Sequence, residues 1–139
     1  ELAYERSGPE RFLETIAVLH GLIHAAGQDP EPRTAEGIGR LVAQVATFRQ
    51  MSLSVAGMLH DGKVPEVEAA VVKEMGTNWE QALPGTARDL VPDIIVEPGN
   101  REKLDEVLQQ ATLIAPKLTI QGGTREVLRG IIARGLGLR

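Results

Sequence analysis

A chain of 139 residues is one domain, long enough to bury roughly two-thirds of its unfolded surface around a single core. Its net charge of -4 and scattered lysines and arginines leave no basic footprint for nucleic acid, and the lack of cysteine excludes disulfides, thiolate catalysis and cysteine-bound metal. No apolar run approaches the ~20 residues that cross a bilayer and the acidic, polar opening is unlike a signal peptide, so we expect no membrane insertion and a place in the reducing cytoplasm.

The opening Glu1-Leu2-Ala3-Tyr4 starts in mid-pattern, without an initiator Met, which suggests a piece of a longer polypeptide. Ser7-Gly8-Pro9-Glu10 has the S-x-x-E form of a capping box, with the proline in the first turn, so a helix is expected from here. Phe12, Leu13, Ile16, Leu19 and Ile23 form its apolar face, and it should stop near Gly27, before Asp29-Pro30-Glu31-Pro32. Thr34 can cap a second helix, along which Ile38, Leu41, Val42, Val45, Phe48, Ser52, Val55 and Leu59 recur close to a bundle's a/d spacing. Asp61-Gly62-Lys63 turns the chain, Pro65 suits the start of a third helix, and Val67, Ala70, Val71, Met75, Asn78 and Ala82 keep the period until Pro84-Gly85 interrupts it. From Thr86 to Gly99 a loop packed on the helices is expected, because Pro92 and Pro98 argue against a strand over Val91 to Val96. Asn100 caps a fourth helix that buries Leu104, Val107, Leu108 and Ala111 and ends before Pro116. The predicted fold is all-α: an antiparallel four-helix up-and-down bundle with a short additional C-terminal helix after Thr124.

The last stretch carries the most specialised pattern. Gly122 and Gly123 allow main-chain N–H groups to approach a ligand, and Thr124 at the N-cap leaves a partly positive helix end that suits an anion. Val127, Leu128, Ile131 and Ile132 then recur at helical spacing, with Arg125, Arg129 and Arg134 largely outside that stripe. The plain alternative is a capped terminal helix with arginines for solubility. His20 and His24 share a helix face at metal-ligand spacing, but no Glu-x-x-His and no third ligand accompany them, so no metal is expected. His60 sits beside a turn with no obvious partner, and Trp79 reads as core packing or a lid over a loop. Glu5 and Glu10 each precede an arginine, Arg6 and Arg11; Glu10 has a role in the capping box, whereas the Glu5 carboxylate has no local task unless it joins a surface salt bridge.

The run Gln121-Gly122-Gly123-Thr124-Arg125-Glu126-Val127-Leu128-Arg129-Gly130-Ile131-Ile132-Ala133-Arg134 resembles the end of an acyl-CoA dehydrogenase, where a Gly-Thr turn opens a short helix followed by Arg-x-x-Ile-Ala-Arg. Leu2-Ala3-Tyr4-Glu5-Arg6 is similar to the Leu-x-x-Glu-Arg that opens the family's C-terminal helical domain, and Arg49-Gln50 also has a counterpart. The resemblance implies a flavoprotein whose complete chain has an N-terminal helical domain, a middle β domain and this C-terminal bundle, the isolated fragment being inactive. It implies FAD, an acyl-CoA substrate, an electron acceptor, and a homo- or hetero-oligomer. A carboxylate takes the α-proton of the thioester while the β-hydride passes to the flavin.

In many members that base is a Glu immediately before the Gly-Thr, a position held here by Gly122. In isovaleryl-type and long-chain members it comes from the start of the domain's first helix, before an arginine, which Glu5 matches best and Glu10 second; a carboxylate desolvated beneath flavin and acyl chain has a raised pKa suited to a base. Gly122, Gly123 and Thr124 then line the flavin site. The family's Gln-x-x-Gly-Gly-x-Gly, which helps bind FAD across a subunit interface, is reduced to Gln81-Ala82-Leu83-Pro84-Gly85-Thr86-Ala87, and Arg-x-x-Phe-Gly after the first helix is absent, Arg33 being the only arginine there. Gly122 and the altered Gln81 motif suit a second reading: a catalytically inactive helical partner in a heteromeric acyl-CoA dehydrogenase assembly.

Overall fold

The computed structural model describes residues 2–8, 10–94 and 98–138, with the backbone alone at 2–4, 10 and 98. Their regular structure is entirely helical, with no strand among them: α1 (Leu2–Ser7), α2 (Glu10–Leu13), α3 (Ile16–Ala26), α4 (Pro32–His60), α5 (Glu66–Leu90), α6 (Pro98–Ile114) and α7 (Arg125–Gly135), with 3-10 turns at Val91–Asp93 and Ala115–Thr119.

Where one helix is expected from Ser7 to Gly27 the structure has two, α2 and α3, and a further helix, α1, stands before them. Ser7 is the last residue of α1 instead of the cap of a helix after it, and the chain turns again at Glu14 and Thr15 before α3. That second break changes the helical phase, so α3 buries Val18, Leu19, Leu22 and Ala25, while Ile23 of the expected stripe is exposed. The glutamate of the anticipated capping box, Glu10, has its side chain outside the described residues.

α4 starts two residues before the expected cap, with Pro32 in its first turn, so Thr34 lies inside the helix and is buried. Its buried residues, Thr34, Leu41, Phe48 and Val55, recur every seven positions, a narrow seam that leaves Val42 and Leu53 exposed.

α5 is the organising element: it touches α1, α2, α3, α4, α6, α7 and both 3-10 turns. Of its predicted stripe Ala70 is buried and Val67, Val71 and Asn78 are half-buried, but Met75 and Ala82 are exposed, while Lys73, Glu74, Thr77, Trp79, Glu80 and Leu83 are buried. A helix surrounded by neighbours buries most of its circumference, and here several of the enclosed positions are polar, which blurs the apolar period. Trp79 is a core residue, edge-on to Phe48 with ring centroids 6.0 Å apart, its indole N–H donating to Gln44 Oε1 at 3.0 Å.

The expected interruption at Pro84-Gly85 does not occur: α5 runs through it to Leu90. Proline in a helix interior costs about 3 kcal/mol, and here Leu83, Ala87, Leu90 and Val91 enter the main core just around it, offsetting that cost. Part of the expected loop after Thr86 is therefore helix, followed by a 3-10 turn at Val91–Asp93; residues 95–97 of that loop lie outside the described residues. α6 begins at Pro98, which puts Asn100 within its first turn instead of at its cap, and it buries Leu104, Leu108 and Ala111 as its pattern predicts.

Candidate functional site

The glycine turn before α7 is where the two ends of the chain meet. Gly122 (φ 76°) and Gly123 (φ 115°) both occupy the left-handed region, which explains glycine at each. The buried Arg6 of α1 donates from Nε to the Gly122 carbonyl at 3.0 Å, across 116 residues of sequence. Arg11 of α2 donates from Nε to the main-chain carbonyl of Glu5. A β-carbon placed on Gly122 would lie 3.5 Å from Lys73 Cε and 3.6 Å from Arg11 Cζ, and one on Gly123 would lie 3.6 Å from Arg6 Nη2. Three cations therefore gather at the turn, each of them holding a main-chain carbonyl: Arg6 that of Gly122, Arg11 that of Glu5, and Lys73 that of Leu118 at 2.7 Å. The Glu5 residue itself is exposed.

The charges beneath the turn are buried. Lys73 is 2% exposed and also donates to the Thr77 hydroxyl; burial, and after it the nearby Arg11 charge, hold its pKa below the ordinary 10.5, against the pull of Glu80, Glu74 and Glu14. Glu80 is 1% exposed, and burial pushes its carboxyl above the usual 4.5 although it accepts main-chain hydrogen bonds from Thr15, at 3.0 Å, and from Glu14. Glu80 thereby satisfies the free N–H groups where the chain breaks before α3. Beside it on α5, Glu74 accepts from Arg129 Nε at 2.9 Å and from Asn78 at 3.3 Å, so Arg129 pins α7 to α5 as well as solvating its surface.

Thr124 takes the N-cap position of α7 with extended backbone. The first turn of that helix also has a carboxylate of its own, Glu126, lowered below the usual 4.5 by a main-chain N–H and by the Thr124 hydroxyl. Leu128 is the fully buried residue of the expected α7 stripe; Val127 is exposed and Ile131 and Ile132 are half-buried.

The other sequence-derived candidates lie on α3, α4 and α5. Gln81 is half-buried and donates from Nε2 to the Ala115 carbonyl at 2.8 Å, while Gly85 is exposed and in mid-helix. Arg33 is in the first turn of α4, paired with Asp93 at 3.3 Å. His20, His24 and His60 are exposed, and among the described residues no three His, Asp or Glu side chains converge as a metal site would require. None of the described helices is long and apolar enough to cross a membrane.

Sequence reasoning missed Lys73, Glu80 and Glu74, three charges on the enclosed face of α5. Their signal was present in the spacing: Lys73 and Glu80 are seven apart in phase with buried Ala69, Gly76 and Leu83, a place where charge requires a partner.

The architecture is thus an all-helical domain whose C-terminal glycine turn is fastened by cations to its N-terminal helix. Comparison with protein-family models matches residues 30–137 to the acyl-CoA dehydrogenase C-terminal domain. The chain belongs to that family. Comparison with curated protein sequences gave no significant match.

Proposed function

We propose that this chain is the C-terminal helical domain of an FAD-dependent acyl-CoA dehydrogenase, working with further domains of a longer polypeptide to desaturate an acyl-CoA between its α and β carbons. In this reading Glu5 removes the α-proton, with Glu10 as runner-up, and α3 to α6 form the antiparallel four-helix bundle. The observation that carries it is the Arg6–Gly122 hydrogen bond. Gly122 leaves no carboxylate at the turn, and the bond keeps the residue after Glu5 against that same turn, with Arg11 holding the Glu5 carbonyl.

The α-proton of a thioester is weakly acidic, so its removal needs a base whose pKa is raised toward that of the carbon acid. Glu5 is exposed in this chain, and in this reading an acyl chain and the neighbouring domains cover it when substrate is bound. The flavin is the family's hydride acceptor. Gly122, Gly123 and Thr124 suit the close approach of a flat ring because two of them lack a β-carbon; Gln81 and Gly85 do not suit a cofactor, being part of a closed helix. No step is assigned to those two. The complete enzyme is expected to pass its electrons to an external acceptor and to form homo- or hetero-oligomers.

The test uses the complete chain reconstituted with FAD, an acyl-CoA panel and an electron acceptor. Flavin bleaching by substrate is expected to survive Glu10→Gln and to be lost in Glu5→Gln; the reverse pattern overturns the assignment. A second reading, an inactive helical partner within a heteromeric dehydrogenase, is favoured by the closed α5 helix. A colourless complete chain that copurifies with a second dehydrogenase subunit supports that reading instead.

A further inference from the structure

We infer that Gln81–Ala87 is a structural strut and takes no part in holding a dinucleotide, so that FAD bound to an assembly of this chain is held without it. The inference rests on the family reading above, since that reading is what calls for FAD. A loop that cradles phosphate or an adenine ring needs main-chain N–H groups free to point at the ligand. Inside an α-helix those groups are spent on the carbonyls four residues back, and α5 continues from Glu66 to Leu90 across the whole segment. The helical pattern is evident beyond the proline: the Thr86 hydroxyl donates to the Ala82 carbonyl at 3.2 Å, and the Val91 N–H reaches the Ala87 carbonyl.

The side chains are committed as well. Gln81 donates to the Ala115 carbonyl, where α6 has just ended, and Arg88 donates from Nη2 to the Thr112 hydroxyl at 2.6 Å. Two hydrogen bonds, seven residues apart on α5, therefore tie this stretch to the end of α6. Leu83 and Ala87 between them are wholly buried in the main core, and Leu90 nearly so. Unwinding the segment into an open loop would withdraw those side chains from the core and break both ties. Gly85 is the only glycine among these seven residues, and a β-carbon placed on it meets nothing within 4 Å. Its lack of a side chain thus answers no close approach within this chain.

Two substitutions in the complete chain test the inference, read by FAD titration and thermal unfolding, neither of which depends on turnover. Gly85→Ala replaces an exposed mid-helix glycine with a better helix former and is expected to raise Tm with FAD affinity unchanged. Gln81→Ala removes the tie to Ala115 and is expected to lower Tm, again with FAD affinity unchanged. If the wild-type chain binds no FAD, the FAD-dependent reading falls, and the strut is then judged by the Tm of Gln81→Ala alone. A loss of FAD affinity of about tenfold or more in Gly85→Ala, with Tm maintained, overturns the inference and leaves Glu5 as the proposed base untouched. An unchanged Tm in Gln81→Ala would equally remove the strut.

Discussion

Gly76 marks the closest approach of α5 to the N-terminal helices. A β-carbon there would collide with the main-chain carbonyl of Arg11, which cannot swing aside as a side chain tip would. Gly76→Ala is therefore expected to destabilise the domain by roughly 1–3 kcal/mol, read by chemical denaturation, although alanine is the better helix former. Four residues on, Glu80 gives a pH signature. Its carboxyl binds a proton more tightly in the fold than in the unfolded chain, so its contribution is most favourable when protonated, below about the ordinary 4.5. The contribution declines as pH rises from there through the raised folded value, and is constant above it. Glu80→Gln removes that decline: the difference in unfolding free energy between wild type and variant should shift in the variant's favour as pH rises through this window. A difference that is flat with pH would show that the hydrogen bonds from Thr15 and Glu14 cancel the burial penalty.

At the scale of elements, α5 and α4 differ in what they can lose. Leu83 of α5 is completely buried in the core, and Leu83→Ala is expected to cost roughly 2–5 kcal/mol. Leu53 on the exposed side of α4 is expected to change stability by less than about 0.5 kcal/mol on substitution by Ala. Denaturation of both variants checks the contrast. The same two helices show where the sequence was legible. The α4 stripe contained its seam of Leu41, Phe48 and Val55, because an edge helix with one buried line follows its apolar period cleanly. The α5 stripe was misplaced beyond Ala70 because Lys73, Glu74 and Glu80 sit on the enclosed face, and a stripe drawn through apolar residues alone assigns charges to water. Pro84 misled for a related reason: its local cost is real, and only the tertiary burial of Leu83, Ala87 and Leu90 offsets it. The glycine turn was visible as Gly122-Gly123-Thr124, whereas its fastening to Arg6 spans nearly the whole chain and has no local signal.

For the whole molecule, the exposed apolar side chains Val42, Leu53, Met75, Val127, Leu136 and Leu138 lead to an expectation of self-association. Sedimentation of this 139-residue chain should show oligomers that grow with concentration; a strict monomer at high concentration would contradict it. The proposed chemistry puts the proton base at Glu5, at the opposite end of the chain from the glycine turn. Its most direct test is exchange of the α-hydrogen of an acyl-CoA with deuterated solvent in the complete, FAD-loaded protein, followed by mass spectrometry without any electron acceptor. A positioned base contributes about 10²–10⁴-fold to such proton transfer. Deuterium uptake at the α-carbon in wild type and Glu10→Gln, with loss of that order in Glu5→Gln, is the predicted result; uptake by Glu5→Gln at the wild-type rate would contradict the account.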